Sequence, residues 1–168
     1  SYGGYMATML AGLHSDRYFQ CARLLQHPQH AEWVCRKLAE RLVERVDVVV
    51  GPALGGVVVA YEMARALCVR AIFTERVEGV MHLRRGFEIR PGEQVLVVED
   101  VVTTGLSARE AASAVQGEGG QVVAFASIVD RSAGAADFGV PFYSMLSLAV
   151  EAYPWNECPL CRDGVPVV

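Results

Sequence analysis

Short runs of apolar, largely β-branched residues recur along the chain at Val46–Val50, Ala71–Thr74, Gln94–Val98, Val122–Val129 and Phe142–Leu148. Val46–Val50, ending at Gly51, predicts a buried strand, and the other runs predict further strands. Between them lie segments with helical spacing. Pro28 precedes Gln29–Arg45, where Trp33, Leu38, Leu42 and Val43 recur every three to five residues; Gly56–Leu67 and Ser107–Gln116 follow the first and third of the apolar runs. Strands alternating with helices predict parallel βαβ units, and hence an α/β fold with an open, mainly parallel twisted sheet flanked by helices. Glu75–Arg90 breaks the alternation. Its charges and two glycines suit an exposed hairpin or mobile loop. Ser1–Arg23 reads as loop plus short strand.

At 168 residues the chain suits one domain, 1–168. A net charge of −4 offers no basic surface, so no nucleic-acid partner is expected. No apolar run is long enough to cross a bilayer and no signal segment opens the chain, so no membrane partner and a cytoplasmic location are expected. Cys21, Cys35 and Cys68 are scattered among apolar residues, as reduced core thiols would be. Cys158-Pro159-Leu160-Cys161 is a lone CxxC. A structural zinc needs four ligands, and no second CxxC or close histidine pair accompanies it; an incidental pair and ligands shared between subunits both stand as readings, and no protein metal ligand is assigned. His14, His27, His30 and His82 show no ligand spacing and read as surface residues. Lys37 is the only lysine.

In an open α/β sheet, ligands bind beyond the carboxyl ends of the strands. The loop Gly51-Pro52-Ala53-Leu54-Gly55-Gly56 joins such a strand to a helix; its glycines let backbone approach a ligand, and the helix start offers N–H groups to an anion. It is neither the dinucleotide nor the P-loop pattern. The segment Val95–Ser107 says more. Four apolar strand residues lead to Glu99-Asp100 at the strand end, then through Val101-Val102-Thr103-Thr104-Gly105-Leu106 into a helix at Ser107. Two adjacent carboxylates can accept hydrogen bonds from the vicinal hydroxyls of a ribose, while a hydroxyl-rich turn at a helix N-terminus cradles a phosphate. Together they describe a ribose 5-phosphate site.

This segment resembles the phosphoribosyl-pyrophosphate motif of the type I phosphoribosyltransferases. Further matches narrow the resemblance to the orotate phosphoribosyltransferases: Gly51–Gly56 with Val57–Arg65 resembles their pyrophosphate loop and helix, His14–Phe19 their N-terminal base-binding segment, and Phe73–Arg76 the start of their mobile loop. Val129-Asp130-Arg131 is similar to the place where an arginine holds the orotate carboxylate, and the tail Glu157–Gly164 to one bacterial branch. The resemblance implies a small hood formed from 1–25 and about 150–168. It also implies transfer of phosphoribosyl from phosphoribosyl pyrophosphate to orotate, giving orotidine 5′-monophosphate and pyrophosphate in pyrimidine biosynthesis. Mg²⁺ would be held mainly by substrate oxygens and water, and a homodimer would share its active sites.

The implied roles are these. Glu99 and Asp100, with Arg85, are catalytic; Glu99, Asp100, Val101, Val102, Thr103, Thr104, Gly105, Leu106 and Ser107 bind phosphoribosyl pyrophosphate. Gly51, Pro52, Ala53, Leu54, Gly55, Arg76, Arg84 and Arg85 take pyrophosphate, and Thr103, Arg131, Tyr18 and Phe19 take orotate. Alternatives stay open for several. Tyr18 and Phe19 read equally as core, Arg84 and Arg85 as a solvated hairpin tip, and Arg131 as a surface partner of Asp130. The sequence departs from the family where lysines are common: Leu10 and Gly55 occupy two such places, and arginines fill the mobile loop, which looks short. Arginine neutralises pyrophosphate but cannot act as a general acid near neutral pH. Leu106 replaces a commoner small residue. Because the family usually has a helix before this point and Ser1 is not an initiating methionine, a trimmed chain is expected. Two competing functions share the motif: a purine phosphoribosyltransferase of salvage, and a phosphoribosyl-pyrophosphate-sensing regulator that binds RNA.

Overall fold

The structure is a computed structural model and describes residues 7–8, 13–15, 19–149 and 153–164. The chain divides into two compact units, one made of Ser1–Gln20 with Ala149–Val168 and the other of Cys21–Leu148. In the first, β1 (Ala7–Thr8), β2 (Leu13–Ser15) and β9 (Tyr153–Pro154) form an antiparallel three-stranded sheet, followed by the short helix α5 (Pro159–Arg162).

The second unit holds a six-stranded sheet in the order β5-β4-β3-β6-β7-β8. β3 (Val48–Pro52), β4 (Arg70–Val77), β6 (Gln94–Val102), β7 (Gln121–Asp130) and β8 (Phe142–Ser147) run parallel, and β5 (Val80–Leu83) returns antiparallel to β4. Helices α1 (Ala22–Leu25), α2 (Pro28–Ala39), α3 (Gly55–Leu67) and α4 (Leu106–Gly117) complete it. The open, mainly parallel α/β sheet expected from the strand runs is therefore the observed one.

The two-residue period of each strand explains why both faces are covered. Val49, Leu96 and Val98 point into a core shared with Val34, Leu38, Val59 and Met63 of α2 and α3. Their neighbours Val48, Val50, Val95 and Val97 point the other way, into a second core with Ala111 and Val115 of α4. Continuous apolar runs are what such two-sided burial requires.

Three boundaries differ from the sequence reading. The helix predicted over Gln29–Arg45 stops at Ala39: Arg41 and Leu42 donate to Leu38 and Ala39, a tighter turn, and Val43 is exposed. The strand expected over Ala71–Thr74 continues as β4 to Val77 and returns as β5, so residues 75–83 form the exposed hairpin that the sequence offered beside a mobile loop, with the turn at Glu78-Gly79, both at positive φ. Finally, β6 does not end before the two acids. It continues through Glu99 and Asp100 to Val102, because β7 pairs alongside it as far as Val102 opposite Asp130.

Candidate active site at the sheet switch point

The strand order reverses between β3 and β6: the chain proceeds from β3 to β4 on one side and from β6 to β7 on the other. Such a switch point opens a crevice at the carboxyl ends of the strands. β3 pairs with β6 only as far as Val50 opposite Val97. Beyond that, the β3-side edge of β6 is open, and Glu99 and Asp100 follow directly after Val98. Successive strand residues point to opposite faces, so the two carboxylates straddle this edge.

Both acids are held against ionisation. Burial, then the charge of Asp100, pushes the Glu99 carboxyl up to about 8. Glu99 Oε1 is buried and has no hydrogen-bond partner among the described residues. Burial also raises Asp100, although the Val101 N–H donates to its Oδ1 at 2.9 Å. Buried acceptors without donors are expensive to keep, which marks a place meant to receive hydroxyls or a cation.

The loop after β3 closes one wall. Gly51 and Pro52 are buried at the strand end, the Ala53 N–H donates to Thr74 O at 2.8 Å, and the Ala53–Leu54 peptide is cis. A Cβ on Gly55 would lie 2.5 Å from Asp100 Oδ1, so the absent side chain is what lets α3 begin against the carboxylate. This loop and the acids therefore meet, as the sequence reading placed them.

The turn from β6 into α4 forms the opposite wall. Thr103 and Thr104 are exposed, and the Leu106 N–H donates to Thr104 Oγ1 at 3.3 Å. The N-cap Gly105 has no side chain to cap α4, so the first-turn N–H groups after Leu106 are left to an anion. Two residues that sequence reasoning missed hold this turn. Arg109 donates to Thr104 O and Asp137 O, both at 2.7 Å, and lies 4.8 Å over the Phe138 ring, which stacks on Phe125. No local signal marked them, since Phe138 comes from a loop far along the chain. Gly105 has φ +75, and a Cβ there would sit 2.8 Å from both Arg109 Nη1 and Phe138 Cζ. Gly105→Ala is expected to cost about 1–3 kcal/mol of stability, read by thermal melting.

Arg131 follows β7, half-buried, and its N–H donates to Val102 O at 2.8 Å, which sets it beside Thr103. The carboxylate of buried Asp130 accepts from Ser132 N at 2.7 Å and Ser147 Oγ at 3.0 Å; burial pushes it up, but these bonds win and hold it below the usual range.

The hairpin arginines are engaged in this conformation. Arg76 pairs with Glu110 of α4 and donates to Gly79 O at 2.7 Å. Arg85, at φ +61, makes two 2.8 Å bonds to Glu75. Arg84 is exposed, and its guanidinium has no hydrogen bond or ion pair among the described residues. Phe19 is half-buried in the first unit, and Tyr18 lies outside the described residues, as does Leu10. Lys37 pairs with Glu40 at the end of α2, away from this crevice. A depression of about 590 Å³ lined by Asp47, Arg70 and Glu93 sits at the opposite, amino ends of the strands, where Arg45 and Arg70 are neutralised by Asp47 and Glu93.

A switch-point crevice between a glycine loop and an acid-led, hydroxyl-rich turn is the arrangement of a phosphoribosyltransferase, and the phosphoribosyl transferase domain family matches residues 22–158. The chain is 57% identical over 161 residues to the orotate phosphoribosyltransferase of Carboxydothermus hydrogenoformans, covering 94% of this chain and 84% of that one. It is 54% identical over 159 residues to that of Caldanaerobacter subterraneus subsp. tengcongensis, with the same coverage. Among solved structures, the orotate phosphoribosyltransferase of Mycobacterium tuberculosis in complex with 5-phospho-α-D-ribosyl 1-diphosphate matches with a TM-score of 0.67 at 34% identity, over 80% of this chain and 82% of that one. The chain belongs to the orotate phosphoribosyltransferase family.

Proposed function

We propose that the chain transfers the 5-phosphoribosyl group from phosphoribosyl pyrophosphate to orotate, releasing pyrophosphate and forming orotidine 5′-monophosphate. The observation that carries this reading is the pair of half-buried acids at the open edge of β6, Glu99 with a buried oxygen that has no partner among the described residues, set between a glycine loop and the start of α4. The identity of the base is supported by the curated relatives and by Arg131 beside Thr103.

As the bond from C1′ to pyrophosphate loosens, positive charge builds on the ribose ring. The protein's contribution is to position the ring, neutralise the leaving group and exclude water. Glu99 and Asp100 accept the ribose hydroxyls. Thr103, Thr104, Gly105, Leu106 and Ser107 hold the 5′-phosphate, with Val101 and Val102 as its backbone wall. Gly51–Gly55 take pyrophosphate, and Arg131 with Thr103 holds the orotate carboxylate. A base role for Tyr18 and Phe19 rests on resemblance alone.

The oxygen-rich edge fits Mg²⁺, which prefers hard oxygen ligands, and the buried Glu99 Oε1 without a donor is the observation that favours a cation nearby. Glu99 and Asp100 are the residues that would face it, with substrate oxygens and water supplying most ligands. When bound, the ion offsets the charge of the departing pyrophosphate.

Among the hairpin arginines, Arg84 is the one poised for pyrophosphate, since Arg76 and Arg85 must first leave Glu110 and Glu75. Arg84→Ala is expected to lower kcat about tenfold or more, and Arg85→Ala by less; equal small effects in initial rates would remove both from the leaving-group site.

A homodimer is supported by Val58 and Tyr61, exposed one turn apart on α3 and suited to cover by a second copy. A cytoplasmic location is supported by five cysteines without a disulfide. Among the described residues, no helix is long and apolar enough to cross a membrane.

The test is pyrophosphate release by the purified chain given phosphoribosyl pyrophosphate, Mg²⁺ and orotate. Release that needs all three supports the reading. No release with any base, alongside RNA binding, overturns it in favour of a sensor on the same fold.

A further inference from the structure

The CxxC pair singled out in the sequence acquires a third partner in the first unit. His14 of β2 comes to Cys158 and Cys161, at the start and within α5, so that one ligand atom from each lies within 4.8 Å of the others. His14 Nδ1 is 3.1 Å from Cys161 Sγ. We propose that these three residues bind a zinc-class divalent ion that ties the N-terminal strand to the C-terminal helix.

Ligand chemistry and spacing agree. Two thiolates and a neutral imidazole suit Zn²⁺, and suit poorly the Mg²⁺ of phosphoribosyl chemistry, which takes oxygen. Zinc–sulfur bonds of about 2.3 Å at a tetrahedral angle separate two sulfurs by roughly 3.8 Å, so the observed span closes on an ion with side-chain adjustment alone. Binding releases the two thiol protons, and the resulting thiolates cancel the charge of the ion. Among the described residues three ligands come together, and a tetrahedral ion takes a fourth, for which water or a small exogenous ligand suffices.

The surroundings supply a reason for such a staple. The unit is built from two terminal segments of twenty residues each, with strands of two and three residues and a helix of four. Elements this short bury little apolar surface, and small units commonly rely on a metal or a disulfide. None of the cysteines is in a disulfide. His14 is paired in register with Tyr153 across β2 and β9, so the strand ladder already brings the histidine toward the tail.

The experiment uses the full chain, reduced and freed of metal, with Zn²⁺ and Co²⁺ as probes. About one equivalent of Co²⁺ per chain is expected, with the thiolate charge-transfer and strong d–d absorption of a tetrahedral site, displaced by Zn²⁺. His14→Ala and Cys161→Ser each should abolish the tetrahedral spectrum. Cys161 is exposed, so a folding failure is less of a concern there than at buried Cys158. Chelation should speed tryptic cutting at Arg162 several-fold in the unsubstituted chain and leave the His14→Ala rate unchanged. A chain that binds no Co²⁺, one that keeps the same spectrum in both variants, or one whose Cys158 and Cys161 form a disulfide under the same conditions overturns the proposal. None of these readouts depends on turnover of orotate.

Discussion

Replacing both acids, Glu99→Gln with Asp100→Asn, is expected to lower kcat/KM for phosphoribosyl pyrophosphate about 10³-fold while leaving the fold intact. Each carboxylate is assigned a charge-assisted bond to a ribose hydroxyl, worth about 1.5–3 kcal/mol, and the two losses together span roughly two to four decades. The single variant Glu99→Gln adds a second, opposite effect. Its carboxyl is raised from 4.5 to about 8 in the folded chain. Between those values the unfolded chain has given up a proton that the folded chain keeps, so raising the pH favours unfolding and stability falls across this window, levelling above it. Glutamine removes that slope. The variant should therefore be more stable than the parent at pH 8, on the order of 2 kcal/mol, and little changed at pH 4. Substrate that needs ionised Glu99 should also bind better as pH rises, so kcat/KM should climb toward a plateau near pH 8 in the parent and lose much of that rise in the variant. Thermal melts and initial rates at several pH values check all of this. A variant less stable at pH 8, with rates unaffected, contradicts the assignment.

The second large effect is expected at Arg131. Arg131→Ala should raise the KM for orotate by 10²–10³-fold and change phosphoribosyl-pyrophosphate binding by about twofold at most. A guanidinium on a carboxylate in a partly buried site makes charge-assisted bonds, and removing it strands the substrate's charge, a loss of about 2–5 kcal/mol. Lysine should recover only part of the loss, because it cannot present the planar fork of arginine. Calorimetry with phosphoribosyl pyrophosphate and kinetics with orotate separate the two substrates. Equal losses for both would assign Arg131 to holding the end of β7 and not to the base.

The frame was legible because its strands are buried on both faces: Val48–Val50 and Val95–Val98 have no polar alternation to confuse with a surface strand. The crevice was legible for a related reason. Gly51–Gly56 and Glu99–Ser107 each carry their chemistry within one continuous segment, so position in sequence stands in for position in space. What depended on partners distant in sequence was not legible. β6 runs past Glu99 because β7 pairs beside it, and nothing in Gln94–Val102 itself encodes that neighbour. Arg109 reads as a solvated helix residue until Phe138 and Asp137 are placed against it. Sequence put Arg76, Arg84 and Arg85 together at pyrophosphate and singled out Arg85 as catalytic; the hydrogen bonds of Arg85 to Glu75 and the pairing of Arg76 with Glu110 could not be read from it. The same holds for His14, which lies 147 residues from Cys161 and so escaped any spacing rule.

The central claim joins a phosphoribosyl site to a particular base, and a base panel tests it most directly. Pyrophosphate release is measured for the purified chain with phosphoribosyl pyrophosphate, Mg²⁺ and, in turn, orotate, uracil, hypoxanthine and xanthine. The predicted result is a kcat/KM for orotate at least about 10³-fold above uracil, which lacks the carboxylate that Arg131 would hold, and no measurable turnover of the purines. Preference for hypoxanthine or xanthine, or equal use of uracil and orotate, would contradict the account.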